Sequence, residues 1–444
     1  MPPTGHARLC TDLHPPLSAH EARVESDRCY FCHDAPCVTA CPTDIDVPLF
    51  IRQIATGRAS AAGRTILDEN VFGGMCARVC PTETLCEEAC VRNTAEERPV
   101  RIGELQRYAT DALMERLLPQ GEQPFERAPA SGKRVAVVGA GPAGLSCAHR
   151  LAMHGHAVTV YDSLSKPGGL NEYGIAAYKA VDDFAQREVD WILSIGGIEI
   201  VHDTVFGTDV TLTELGGSFD AVFLGLGLGA TNALDIEGTD LDGVEDAIAF
   251  IARLRQSDDL AALDPGQRVV VLGGGMTAID AAVQTRLLGA EEVTVAYRRD
   301  ESRMNASRYE RELAQTSGVS IRTHLAPTRV LGENGRVTGL QFDVVEDRDG
   351  SLVPTGETRM LPCDRVLKAI GQLFVAHPGG ESLALEGRRL AVDQERRTSD
   401  PRVWAGGDCA ATGEDLTVTA VQDGKLAAES INRALRADGG HRHG

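Results

Sequence analysis

Lysine is nearly absent from this chain of 444 residues. Only Lys133, Lys166, Lys179, Lys368 and Lys425 occur, so almost all of the positive charge is arginine. Acidic residues outnumber basic ones by 64 to 44, a net charge of −20. That balance argues against a broad electrostatic affinity for nucleic acid or anionic lipid. Long apolar runs are missing too. The longest, Phe219 to Leu234, is broken by Asp220, three glycines and Asn232, which argues against a membrane span. Met1 to Glu25 is polar and proline-bearing with no apolar core, so no secretory signal is expected and the reading is cytoplasmic. With 43% hydrophobic and 24% charged residues, the composition is globular. The length suggests roughly two to four domains.

Cysteine breaks this sparse pattern. Of twelve cysteines, eight lie between Cys29 and Cys90, while Cys10, Cys147, Cys363 and Cys409 stand apart as ordinary thiols. One run is Cys29-x2-Cys32-x4-Cys37-x3-Cys41-Pro42; the other is Cys76-x3-Cys80-Pro81-x4-Cys86-x3-Cys90. In a reducing compartment such a crowd of thiols points to metal rather than to disulfides. Short loops of closely spaced thiolates can wrap an iron–sulfur cluster, and the Cys41-Pro42 ending of the first run resembles that of bacterial ferredoxins. Structural zinc in all-thiolate sites is the alternative. Between the runs, Val47 to Asn70 carries Leu49, Phe50, Ile54, Ile66 and Leu67 at helical spacing, a scaffold for the two ligand loops.

After a Gly-, Pro- and Ser-rich linker (121–133), the strand-like run Arg134 to Val138 enters Gly139-x-Gly141-x-x-Gly144, then a helical pattern, then a second strand ending at Asp162. This is the dinucleotide fingerprint in full context: glycines for the tight turn, a helix N-terminus for the pyrophosphate, and an acid placed for a ribose. The pattern repeats at Arg268 to Leu272, Gly273-Gly274-Gly275-Met276-Thr277-Ala278, and a strand ending in Arg298-Arg299. Arginine in place of an acid suits a 2′-phosphate, which favours NADPH over NADH, although Arg298 is equally readable as a solvated strand end. Two sites in one chain suggest a flavin and a nicotinamide, the first resembling an FAD site. Downstream, Gly406-Gly407-Asp408 can hold a ribityl chain, and the helical pattern from Thr417 can offer its N-terminus to the flavin. The apolar segments Phe219 to Gly225 and Arg365 to Gly371 read as the points where the chain leaves and re-enters the flavin domain. The expected class is therefore α/β: a helical N-terminal domain (1–120), an FAD domain (134–235 and 366–435), and an NAD(P)H domain (236–365) inserted within it, followed by a polar tail.

These motifs together resemble the small subunit of bacterial glutamate synthase and the N-terminal half of dihydropyrimidine dehydrogenase, from about Cys29 to Arg433. The spacing of the second cysteine run, with Ile102-Gly-Glu-Leu-Gln106 after it, is more similar to the dihydropyrimidine dehydrogenase form. The resemblance implies two 4Fe-4S clusters. Cys29, Cys32, Cys37 and Cys90 would hold one; Cys41, Cys80, Cys86 and the side-chain oxygen of Gln106 the other, with Cys76 a bystander. For FAD it implies Gly139 to Gly144, Asp162, Gly168, Gly169, Leu170, Lys179, Gly407 and Asp408. For the nicotinamide it implies Gly274, Gly275, Thr277, Arg298, Arg299, Ala369 and Gly371.

The chain departs from the family pattern in places: Asp162 is one methylene shorter than the usual Glu, Met276 stands where Asn or Asp is common, and Asn305 replaces a second phosphate-binding arginine. The function implied is hydride transfer from NAD(P)H to FAD, then single electrons through the clusters. They pass to an FMN-containing partner subunit that reduces uracil or thymine, with no catalytic side chain required. Two alternatives remain open: a glutamate synthase small subunit, and a non-catalytic, zinc-stabilised, nucleotide-binding assembly subunit.

Overall fold

The computed structural model describes residues 9, 11–120, 122–348, 350–376 and 382–440; the end of the polar tail, 441–444, lies outside them. The chain forms two compact units. One comprises His14–Glu172, Asp183–Gly229 and Phe374–Gly444; the other comprises Met1–Leu13, Tyr173–Asp182 and Ala230–Leu373.

The larger unit begins with helices. Asp46 starts the helix Val47–Ala55 by accepting from the Leu49 N–H at 3.0 Å, and Pro48 occupies the first turn, where its missing N–H costs nothing. Val47, Phe50, Ile51 and Ile54, one face at helical spacing, are buried in a core shared with Ile66, Leu105 and Ala109. The helices Ala59–Glu69 and Ile102–Leu117 cross at backbone range: a Cβ on Gly63 would lie 2.5 Å from the Ala109 carbonyl oxygen. The same unit contains a parallel sheet ordered Val403–Ala405, Ala221–Leu224, Arg134–Val138, Ala157–Tyr161, Ile198–Val201. Its central strand is buried from Val135 onward, as a strand covered on both faces must be. Helix Thr417–Gly440 lies against helix Pro142–Met153, with the Ser146 hydroxyl donating to the Val421 carbonyl at 2.8 Å.

The smaller unit has its own parallel sheet, ordered Val244–Asp246, Arg365–Lys368, Arg268–Leu272, Glu292–Ala296, Val319–Arg322. Beside it the chain forms an antiparallel meander, Leu325–Glu333, Arg336–Arg348 and Ser351–Pro362, which the sequence reading had not separated from the surrounding α/β pattern. One boundary differs from expectation. Arg365–Lys368, read as the return into the flavin domain, pairs in register with Arg268–Leu272 instead, Leu367 opposite Val271. Val366 and Leu367 are both buried, a pattern that either parallel sheet accepts, so the strand's neighbour was not written in its own residues. The N-terminal helices pack in the same compact unit as the first sheet.

Candidate functional site

The second glycine loop opens a cavity of about 740 Å³, of a size that holds a nucleotide, lined by Gly273, Gly274, Gly275, Thr277, Arg298, Arg299, Ala369 and Gly371. Gly273 has φ +148°, and a Cβ there would lie 2.2 Å from the Ala369 carbonyl oxygen, so only glycine allows the strand and the turn to meet. A Cβ on Gly275 would meet nothing within 4 Å: its face is open for a ligand. Helix Met276–Leu288 starts at Gly275 with no side-chain cap, leaving its first N–H groups free for an anion. Arg298 is exposed and Arg299 half-buried, and the Arg299 Nε is buried with no acceptor. An orphaned guanidinium N–H on the wall of a nucleotide-sized cavity fits a phosphate. Sequence reasoning missed Tyr297, Asn232 and Lys368 on this wall. Tyr297 sits where a Gly274 Cβ would strike its ring, and Asn232 donates to the Ile370 carbonyl at 3.1 Å, holding the Ala369–Gly371 turn. The position of Tyr297 just before the arginine pair was the available signal.

The first glycine loop lies in the larger unit. Gly139 has φ +100° and donates to the Tyr161 carbonyl at 2.7 Å; a Cβ on Gly144 would lie 1.8 Å from the Gly139 carbonyl oxygen. Gly168 donates to the Ala140 carbonyl at 2.8 Å, and Gly169 abuts Gly141, so a second pair of glycines closes the cradle. Leu170 is 41% exposed at the start of the next short helix. Asp162, at the end of the second strand, faces this loop. Its oxygens accept from the Ala140 N–H at 2.5 Å and the Leu164 N–H at 2.8 Å, so the carboxylate braces the loop from within.

On the other side of the central strand, Gly407 (φ +71°) and Asp408 follow Val403–Ala405. Burial, reinforced by Asp415 and opposed by Arg389, pushes the Asp408 carboxyl up to about 6. A hydroxyl-bearing ligand would supply the donor that this carboxylate needs. Asp423, fully buried and unnoticed in the sequence, holds the turn by accepting from the Gly407 N–H (2.8 Å), the Thr412 hydroxyl (2.6 Å) and the Arg396 Nε (2.6 Å). The Thr417 hydroxyl donates to the Asn171 side chain at 2.9 Å, joining this helix start to the segment after Leu170. Lys179 belongs to the smaller unit, where Asp280 (2.8 Å) and Glu310 (2.9 Å) clasp its ammonium. Burial alone would lower its pKa, but the two carboxylates outweigh it and hold the group above its usual value.

All eleven described cysteines are free thiols. Cys29, Cys32, Cys37 and Cys90 line one cavity with Tyr30, Pro36, Ile51 and Val91. Burial pushes the Cys37 thiol up to about 12, helped by the nearness of the Cys29, Cys90 and Cys32 sulfurs. A second set converges elsewhere. Cys80 is raised first by its hydrogen bond with Cys76, then by burial and by Cys86 and Cys41 nearby. Burial raises Cys86 as well, next to Glu87 and Cys41. Thiols held this high are protonated without metal, so a metal or cluster bound to them would displace protons. Among the described residues no three His, Cys, Asp or Glu side chains could share one metal ion. A cluster offers a separate iron to each thiolate, and the thiol-lined cavity fits that demand. Gln106 donates from Nε2 to the Gly73 carbonyl at 2.8 Å, which fixes the amide and leaves its oxygen as the free acceptor. Glu188, fully buried, accepts from the Gly74 N–H (2.9 Å) and Met75 N–H (3.1 Å), anchoring the helix that carries Cys76. Among the described residues no helix is long and apolar enough to cross a membrane.

A family model described as pyridine nucleotide-disulphide oxidoreductase matches residues 133–424. Another, described as dihydropyrimidine dehydrogenase domain II, 4Fe-4S cluster, matches residues 7–117. The chain is 34% identical over 446 residues to the NADPH glutamate synthase small chain of Escherichia coli K12, covering 95% of this chain and 93% of that one. It is also 34% identical over 427 residues to the NAD-dependent dihydropyrimidine dehydrogenase subunit PreT of the same organism, covering 96% and 97%. Among solved structures, FprA of Mycobacterium tuberculosis in complex with NADPH is similar at a TM-score of 0.57 and 20% identity, covering 70% of this chain and 86% of that one. Thioredoxin reductase of T. acidophilum is similar at 0.54 and 22%, covering 68% and 99%. At these identities the structural likeness is one of fold.

Proposed function

The chain belongs to the pyridine nucleotide-disulphide oxidoreductase family and is an NAD(P)H-dependent flavin and iron–sulfur oxidoreductase; from that premise we propose that it is the electron-input subunit of a pyrimidine-reducing assembly. It oxidises NAD(P)H and passes the electrons by way of FAD and two 4Fe-4S clusters to an FMN-containing partner subunit, which reduces uracil or thymine to the 5,6-dihydro form. When bound, FAD accepts a hydride and yields electrons singly, chemistry that no side chain supplies. The residues of the chain bind and orient. The Gly273–Gly275 turn and the N-terminus of helix Met276–Leu288 take the nicotinamide pyrophosphate, and Arg299 with Arg298 takes a 2′-phosphate. The Gly139–Gly144 loop takes the flavin pyrophosphate, Asp408 accepts from a ribityl hydroxyl, and the helix starting at Thr417 presents partial positive charge to the flavin. Cys29, Cys32, Cys37 and Cys90 hold one cluster; Cys41, Cys80, Cys86 and the Gln106 oxygen hold the other. Replacing one thiolate by an amide oxygen removes a negative charge from that cluster.

The observation that carries this reading is the combination, in one chain, of two glycine-loop sheets with two groups of converging thiols. It is tested with the purified, anaerobically reconstituted chain: NAD(P)H should reduce ferricyanide, and uracil should stay untouched until the partner is added. Uracil turnover by the single chain, or no turnover of ferricyanide, would count against it. The glutamate synthase reading stands beside it, because the two E. coli relatives are equally identical at 34%. The companion chain captured with the native protein, a pyrimidine reductase or a glutamine-dependent synthase, separates the two.

A further inference from the structure

One of the five lysines has a place that the functional reading does not use. Lys425 lies on helix Thr417–Gly440 with a side chain only 13% exposed. Its three ammonium protons meet three acceptors: the Thr43 carbonyl (3.2 Å), the Glu69 carbonyl (3.1 Å) and the Glu69 carboxylate (2.8 Å). Thr43 is fully buried two residues after Cys41, and its hydroxyl lies 3.4 Å from the Cys41 sulfur. The turn between them is tight, with the Asp44 N–H donating to the Cys41 carbonyl at 3.0 Å and Asp44 at φ +60°.

The residue before the lysine explains why its position is fixed. A Cβ on Gly424 would lie 2.1 Å from the Ala143 carbonyl oxygen and 2.8 Å from the Cys147 nitrogen, so the two helices touch backbone to backbone there. Ala143 is in the first turn of the helix that follows the Gly139–Gly141 loop. A continuous line of short contacts therefore runs from the first glycine loop through Gly424 and Lys425 to Thr43 and Cys41. We propose that Lys425 is a positioning residue: it holds the Cys41 loop at a fixed place against the flavin cradle and lends positive charge to the iron–sulfur group bound there. This rests on the reading that Cys41 is a cluster ligand.

The charge argument has a definite sign. Reduction adds an electron to the cluster, so a nearby cation favours the reduced form. Glu69 opposes it, but that side chain is 44% exposed and better screened by water than the ammonium. Losing the lysine charge should therefore lower the reduction potential, and losing the glutamate charge should raise it.

The test is an EPR-monitored redox titration of the full chain carrying its flavin and clusters. Lys425→Met should shift the midpoint of one cluster to lower potential and leave the other in place. Lys425→Arg should restore it. Glu69→Gln, at a half-exposed side chain, should shift the same cluster to higher potential, and it remains informative if Lys425→Met fails to fold. Equal shifts of both clusters, or an unmoved midpoint in Glu69→Gln, would overturn the proposal. Wild-type protein lacking iron and acid-labile sulfide would instead overturn the cluster reading itself.

Discussion

Arg299 offers a quantitative test of the proposed nicotinamide site and its choice of cofactor. Its side chain is half-buried on the cavity wall, its Nε is buried without an acceptor, and its carbonyl accepts from the His324 N–H at 3.3 Å, which fixes the backbone. Arg298, its neighbour, is exposed. A buried guanidinium bonded to a phosphate is worth about 1.5–3 kcal/mol, whereas an exposed ion pair is worth about 1 kcal/mol or less. Arg299→Ala should thus cost about 2 kcal/mol, or roughly thirty-fold in kcat/KM for NADPH, while Arg298→Ala should cost about fivefold at most. NADH lacks the 2′-phosphate and should stay within about threefold in both variants. Steady-state ferricyanide reduction with each nucleotide reads the ratio directly, and added salt should shrink the Arg298 effect more than the Arg299 effect. Parallel loss of NADPH and NADH activity in Arg299→Ala would refute the reasoning, since it would make the arginine a structural residue. So would a wild-type preference for NADH.

Gly424→Ala drives a Cβ to 2.1 Å from a backbone oxygen, a collision that no rotamer relieves, and should lower stability by about 2 kcal/mol or more, whereas Gly217→Ala, with nothing within 4 Å, should not. Thermal melts of the two variants check this. Asp408 titrates near 6 in the folded chain against 3.8 ordinarily, so the folded state binds more protons between those values. The stability of the flavin-free chain should therefore fall as pH rises from about 4 to 6 and level off above, with Asp408→Asn abolishing that slope in pH-dependent urea melts. Cys76→Ser should keep the full iron content, while Cys86→Ser should lose one cluster; iron and sulfide analysis decides.

Both glycine loops were legible because the constraint acts within a few residues: the Gly139 and Gly273 turns need positive φ, and the residues around them spell strand, turn and helix in order. The cysteine runs were legible as a group for the same reason. The sheet neighbours were not. Val366 and Leu367 report only that they are buried, and the choice between the two sheets rests on pairing with Arg268–Leu272, almost a hundred residues earlier. Nor could the sequence name the partners of Lys179: Asp280 and Glu310 lie far along the chain, on helices of the smaller unit.

A motif fixes where a side chain starts, and the neighbouring donors fix where it points. Asp162 stands at the strand end where an acid can meet a ribose, and each of its oxygens accepts one backbone N–H, from Ala140 and from Leu164, with the residue only 8% exposed. Asp423, Glu188 and Lys425 follow the same logic. Each is buried or nearly so, and each is saturated by groups from a distant stretch of chain. A buried ionisable group is tolerated only where such partners surround it. Their identities are thus consequences of the tertiary fold, and no spacing rule along the chain could have named them.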